Sequence, residues 1–261
     1  MADQFVKMLN SYGYVPVLLP RTGLVPPELY NFDNHKLIRL GALSDCIKNF
    51  VSFTPTSGNL ADFEGKITSS KDIGASLKFL NNALSVIGLT SIPTFNFSFA
   101  GSDEFVFAFK NITFKSVDPL VIDKTLQALT LPLAIPQEYL EENNLHVAYE
   151  YAYSTAFTMS RSDHQQFKGD ASIAIKDIID LGPKVKVEVT RNTTITFTTK
   201  DGSVPAFAYK AGQLLKEDGH WTFKPEVVQK GFAGGPMTPV PFVPAYGVVL
   251  HADEVAIAAA R

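Results

Sequence analysis

Leu145-His146-Val147-Ala148-Tyr149-Glu150-Tyr151-Ala152-Tyr153-Ser154-Thr155-Ala156-Phe157-Thr158-Met159 is the stretch on which the fold turns. Its odd positions carry Leu145, Val147, Tyr149, Tyr151, Tyr153, Thr155, Phe157 and Met159, and its even positions are small or polar. A period of two marks a β-strand with unlike faces. Residues 184–199 repeat the pattern, with Val185, Val187, Val189, Ile195 and Phe197 on one face and Lys184, Lys186, Glu188 and threonines on the other. Strands usually run about 5–6 residues, and both segments read as roughly twice that.

Working outward, Phe95, Phe97 and Phe99 alternate with polar residues, and residues 100–103 read as a turn. Phe105, Phe107 and Phe109 then resume the alternation, which predicts a hairpin. Beyond Lys110 the apolar phase shifts to Ile112 and Phe114, implying a bulge or a strand that changes faces. Helices are predicted at the start of the chain, where Phe5, Met8, Leu9 and Tyr12 share a face before Gly13, and over residues 71–87. Two more are predicted, from Pro119 to about Leu129 behind an Asp118 cap, and over residues 171–179. Pro16 assigns the apolar run at 14–19 to an edge strand or an extended segment. The expected class is α+β: a twisted, mostly antiparallel sheet with flanking helices.

The composition fits an ordered globular chain. Of 261 residues, 46% are hydrophobic and 19% charged, with twenty Phe and nine Tyr. The formal net charge is −3 and no basic stripe stands out, which argues against a nucleic-acid partner. The single cysteine, Cys46, excludes an intrachain disulfide and reads as a buried structural thiol beside Asp45. No signal peptide and no long apolar helix are read, so the three N-glycosylation patterns at Asn96, Asn111 and Asn192 are taken as chance.

No catalytic spacing, phosphate loop or metal-ligand pattern is found among the five histidines and the lone cysteine, so neither an enzyme nor a cofactor is expected. Asp163-His164 reads as a polar turn. Long two-faced strands can simply cover a core. They also have the length, about 9–11 residues, and the alternation of strands that cross a bilayer. A soluble form that refolds some strands on a membrane reconciles that pattern with ordinary hydropathy.

Residues 231–244 hold Gly231, Gly234, Gly235, Pro236, Pro239, Pro241 and Pro244, the signature of an irregular linker. A short apolar tail follows, with Val248, Val249, Leu250, Val255 and Ile257.

The opening, Phe5-Val6-Lys7-Met8-Leu9-Asn10-Ser11-Tyr12-Gly13-Tyr14-Val15-Pro16-Val17-Leu18-Leu19-Pro20-Arg21-Thr22-Gly23-Leu24-Val25-Pro26-Pro27-Glu28-Leu29, resembles the start of bacterial gasdermins, and Leu40-Gly41-Ala42-Leu43-Ser44-Asp45 resembles the family segment that follows. The resemblance implies a pore-forming body over residues 1–235 and a linker end with a short inhibitory segment over 236–261. It implies an activating protease as partner, cutting in the region of Pro236, Pro239, Pro244, Tyr246, Gly247 and Leu250. The tail residues Val248, Val249, Leu250, Val255 and Ile257 would restrain the body. The intact chain would be a cytoplasmic monomer. The cut body would form homo-oligomeric pores in the lipids of the inner membrane and kill the cell as an antiphage defence.

One departure from the family pattern stands out. Bacterial members carry an acylated cysteine within the first few residues, and Ala2, Asp3 and Gln4 occupy that stretch here. Two other readings stay open: a β-rich lipid carrier with Phe95 to Phe109 lining a cavity, and an enzyme whose site is assembled from distant residues.

Overall fold

The computed structural model describes residues 4–33, 36–47, 52–68, 105–128, 135, 144–161, 185–190, 194–199, 204–217, 219–225 and 249–251. The helices predicted over 71–87 and 171–179, the strand of Phe95, Phe97 and Phe99, and the Asp163-His164 pair lie outside them. In chain order the elements are α1 (Gln4–Ser11), β1 (Val15–Arg21), β2 (Glu28–Asp33), β3 (Lys36–Ala42), a 3-10 turn (Leu43–Cys46), β4 (Thr56–Asn59), β5 (Phe63–Ile67) and β6 (Phe105–Ser116). There follow α2 (Pro119–Gln127), β7 (Leu145–Arg161), β8 (Val185–Thr190), β9 (Thr194–Thr199), β10 (Ala206–Glu217), β11 (His220–Pro225) and β12 (Val249–His251). Every described strand pairing is antiparallel except β12 on β3.

Local chemistry sets the helix ends. Gly13 takes φ 81° after α1. Its N–H donates to the Asn10 carbonyl at 2.9 Å, and that of Tyr14 to the Leu9 carbonyl at 3.1 Å, the paired bonds of a glycine C-cap. At the start of α2 the Asp118 carboxylate accepts from the Leu120 N–H at 2.8 Å, and Pro119 fills a position needing no donor.

β7 is the spine. On one edge it pairs with β2 over residues 145–148 and with β6 over 150–161. On the other it pairs with β10 up to Tyr153 and with β9 from Ala156. Its alternation is not single-phase. Lys210 lies opposite Glu150 and Ala211 opposite Ala148, so Tyr149 is an extra residue and the faces exchange there. Leu145 and Val147 pack with Leu29, Ile122, Leu126, Leu214, Trp221 and Phe223, under α2. Tyr151 and Tyr153 point into a second cluster with Val15, Val17, Tyr30, Ala206 and Tyr209.

That second cluster is wrapped by strands in the order β1-β10-β7-β2-β3-β12. β12 also comes within 8 Å of β1 between Cα atoms, so it bridges β3 and β1. Pro16 fits its place: β1 pairs with β10 alone among the described strands.

Residues 184–199, read as one strand, form two. β8 and β9 make a hairpin in which Thr190 faces Thr194 and Val189 faces Ile195. A three-residue connection keeps odd residues opposite odd residues, so the alternation runs through the turn and conceals it.

The phase change in β6 is a kink. Register with β7 is the same on both sides, but Asn111 takes φ 53°, the one non-glycine residue with positive φ among those described. Its N–H donates to Asp62 Oδ1 at 3.2 Å. Asn111 is exposed, so backbone preference governs its replacement. Asn111→Gly should keep the intact protein at least as stable. Asn111→Val should cost about 1–2 kcal/mol in urea unfolding, because a β-branched residue resists the left-handed region. Equal stabilities would mean that the kink relaxes without cost.

Cys46 is buried, as the sequence suggests, and its Sγ lies 3.6 Å from the Ala42 carbonyl. Burial first, and then the Asp45 charge, push its thiol up to about 11.

Candidate functional site

Above the Asn111 kink, five strands lie side by side in the order β5-β6-β7-β9-β8. Their registers sort the side chains by face. Phe107 lies opposite Met159, which lies opposite Ile195. In the next row Phe63, Phe109, Phe157 and Phe197 follow one another across four strands. Val187 and Val189 of β8 hold the register positions opposite Phe197 and Ile195. The Phe109 ring contacts those of Phe157 at 5.3 Å and Phe207 at 4.0 Å. Phe107, Met159 and Ile195 are fully buried.

The other face is unlike it. Glu64, Lys66, Lys186 and Glu188 are exposed, and Thr158, Ser160, Thr194, Thr196 and Thr198 are half-buried. Lys186 pairs with Glu188 across one intervening residue. Val106, Ala108 and Ala156 share that face, so the arrangement is a sheet with one side of large apolar residues and one side of polar and small residues, whose backbone groups are bonded strand to strand. Such a sheet could face hydrocarbon on one side and water on the other.

Among the described residues, two elements cover it. Phe207 of β10 stacks on Phe109. α1 lies along β5: the Tyr12 ring stacks on Phe63 at 4.3 Å, and Met8 sits over Gly65, where a Cβ would come within 2.5 Å of Met8 Cγ. α1 also occupies the edge of β5. The Tyr12 hydroxyl donates to the Glu64 carbonyl at 3.1 Å and accepts from the Glu64 N–H at 3.0 Å, while Gln4 Oε1 accepts from the Thr68 N–H at 2.8 Å. Side chains thus bond main-chain groups that would otherwise be open to a further strand.

Of the strand residues expected to meet a membrane, Phe157, Ile195 and Phe197 share this apolar face, and Val185, Val187 and Val189 lie on β8 beside it. Leu145, Val147, Tyr149, Tyr151 and Tyr153 lie elsewhere, in the two clusters lower on β7. The bulge at Tyr149 divides what looks like one continuous face. Sequence reading missed β6 and β5 as members of the two-faced sheet. The alternation of Phe105, Phe107 and Phe109 carries that signal, but by itself it specifies a hairpin or a cavity wall as readily.

Below this sheet, Glu28 is buried at 2% exposure within a polar knot. Its Oε2 accepts from the hydroxyls of Tyr30 and Tyr151, each at 2.9 Å, and those hydroxyls stand 2.6 Å apart. Arg39 Nη2 reaches Oε1 at 2.7 Å. Burial, foremost, raises both phenols well above their usual range and keeps them as donors.

Of the expected cleavage and tail residues, Val249 and Leu250 lie in β12, parallel to β3, with Leu250 opposite Leu37. Pro236, Pro239, Pro244, Tyr246, Gly247, Val248, Val255 and Ile257 lie outside the described residues. Among the described residues no group of three or more His, Cys, Asp or Glu could hold a metal ion, and no helix is long and apolar enough to cross a membrane.

Comparison with known proteins gives a consistent result. Residues 17–220 match the model of the Bacterial Gasdermin Family. The gasdermin bGSDM of Piscinibacter sakaiensis is 38% identical over 255 residues, covering 97% of this chain and 96% of that protein. The structure of a bacterial gasdermin from Bradyrhizobium tropiciagri superposes with a TM-score of 0.57 at 13% identity, over 86% of this chain and 92% of that one. At that identity the superposition speaks for the fold.

Proposed function

The chain belongs to the bacterial gasdermin family, and from that premise we propose that it is a pore-forming protein kept inactive by its own C-terminal segment. Family membership supports pore formation in general terms. The finer reading is ours: a partner protease cuts within residues 236–250, the body up to residue 235 oligomerises on membrane lipids, and the resulting pores kill the cell as a defence against phage. The intact chain is a cytoplasmic monomer, and the cut body acts at the inner membrane. No catalytic step by this chain is part of the reading.

The observation that carries it is the two-faced sheet. Five strands in register present phenylalanines and aliphatics on one side and threonines and charges on the other. An antiparallel sheet over a core can show the same two faces; in a chain of this family the pattern also meets what a sheet lining an aqueous pore needs.

The restraint follows from arithmetic. Among the described residues, β12 is held by a three-residue ladder on β3, which is weak by itself. While the chain is intact the tether supplies an effective concentration on the order of millimolar. Cutting removes the tether, and a free peptide at cellular dilution dissociates.

Dye leakage from liposomes tests this. A chain carrying an engineered protease site between Pro236 and Pro244 should leave vesicles tight when intact and empty them once cut. Silence after verified cutting, across several lipid mixtures, would remove the pore reading and favour a lipid carrier.

A further inference from the structure

Gln4 and Met8 of α1, and Tyr12 just past its end, stand at intervals of four and form one stripe. That stripe lies along β5 in the opposite sense. Tyr12 meets Glu64, Met8 meets Gly65, and Gln4 meets Thr68, the residue after β5. The lengths agree. Gln4 to Tyr12 rises about 12 Å at about 1.5 Å per helical residue. Glu64 to Thr68 extends about 13 Å at about 3.3 Å per strand residue.

The bonds are those that a neighbouring strand would make. Among the described strands β5 pairs with β6 alone, so α1 sits on its outer edge. Both main-chain groups of Glu64 are taken by the Tyr12 hydroxyl. At Thr68 the Gln4 amide acts twice: Oε1 accepts from the main-chain N–H, and Nε2 donates to Thr68 Oγ1 at 3.2 Å. Between them Gly65 lies opposite Phe107 in the apolar row and has no side chain, and Met8 occupies the gap. None of these bonds is to β12, so cutting the tail removes none of them.

Five strands are too few to enclose water, since about eight give an interior that side chains fill. A pore therefore takes strands from further copies, and they join at the ends of the five, β5 and β8. Resting on the pore reading, we propose that α1 is a second restraint on assembly, separate from the tail. Gln4, Met8 and Tyr12 close the outer edge of β5 to the strand of a second copy, and their release after the cut sets the rate of assembly.

The build of α1 suits a restraint that lets go as a unit. It has 8 residues, and an isolated helix needs roughly 12–15 to be stable, so α1 keeps its shape only while packed. Val6, Met8 and Leu9 are buried, which gives departure a barrier. Tyr12 is 38% exposed, so water can replace its edge bonds first.

Leakage rates test this, in vesicles of phosphatidylglycerol and phosphatidylcholine and with the protease site between Pro236 and Pro244. Tyr12→Phe keeps the ring on Phe63 and deletes both bonds to Glu64. Once cut, it should empty vesicles roughly tenfold faster than the cut wild type, the effect of one or two net hydrogen bonds. Uncut, it should leave them tight. Asp118→Ala removes the cap of α2 at a comparable cost in stability, and should change the rate of the cut chain by less than about twofold. Equal rates for cut Tyr12→Phe and cut wild type would overturn the proposal. Equal acceleration by Asp118→Ala would do the same, because the effect would then be general loosening. Leakage by uncut Tyr12→Phe would overturn the separation of the two restraints.

A cross-link tests the same contact without touching the core. Gln4→Cys and Thr68→Cys replace side chains that already meet at 3.2 Å, and Cys46 is buried. Joined by a short reducible cross-linker, the cut chain should stay tight, and reductant should restore the rate of the cut, unlinked chain. Leakage at that rate from a chain both cut and linked would overturn the proposal and leave the pore reading standing. Silence from the cut wild type would overturn both.

Discussion

A chain cut between Pro236 and Pro244 but cross-linked from position 37 to position 250 should leave liposomes tight until reductant is added. The two positions are register partners on β3 and β12, and neighbouring strands lie about 4.8 Å apart. Leu37→Cys and Leu250→Cys joined by a short reducible cross-linker would therefore span the ladder without moving either strand. Cys46 would not compete, because a buried thiol pushed up to about 11 carries little thiolate near neutrality. The cross-link restores the tether that cutting removes, so leakage should slow by roughly 10²-fold or more. Reduction should return it to the rate of the cut, unlinked protein. Full leakage from a chain shown on a gel to be both cut and linked would mean that β12 is not the restraint.

Glu28→Ala should cost the intact protein about 3–5 kcal/mol in urea unfolding, the range for removing one partner of a buried charged group. The two tyrosine hydroxyls account for most of it. Arg39 is about one-third exposed at its side chain and can regain water, whereas Tyr30 and Tyr151 are buried and would keep one unpaired donor between them. Two hydroxyl protons serve three close oxygen contacts, so once the carboxylate is gone one phenol can donate to the other and the second hydroxyl proton is left without an acceptor. Tyr151→Phe keeps the ring and deletes one donor, and should cost less, about 1–3 kcal/mol. A Glu28→Ala protein as stable as the wild type would show the knot to be energetically idle. The knot also joins three strands, β2, β3 and β7. Arg39 directly follows Ile38, which pairs with His251 of the tail, and Tyr151 belongs to the spine.

What could be read from the sequence followed local chemistry. Asp118-Pro119 announced α2, Gly13 announced the end of α1, and Pro16 marked an edge. Alternation found β7, but it did not reveal the bulge at Tyr149, because large apolar residues stand on both sides of that point. It also joined β8 to β9, since their three-residue connection preserves parity. β10 went unread: Ala206, Phe207, Ala208 and Tyr209 are all buried, so no polar face marks the period. The Glu28 knot spans 123 residues from Glu28 to Tyr151, and no window along the chain contains it. The two-faced sheet depended on cross-strand register, which no single strand specifies.

The pairing of β12 with β3 runs through main-chain atoms, which every residue but proline supplies in full. A latch of that kind makes modest demands on the letters of the tail. Under the proposed reading, selection could rewrite the segment before it to suit whichever protease a lineage pairs with it, while the fastening persists. On that reading lock and keyhole could evolve at different speeds, and a new trigger could be acquired without redesigning the body.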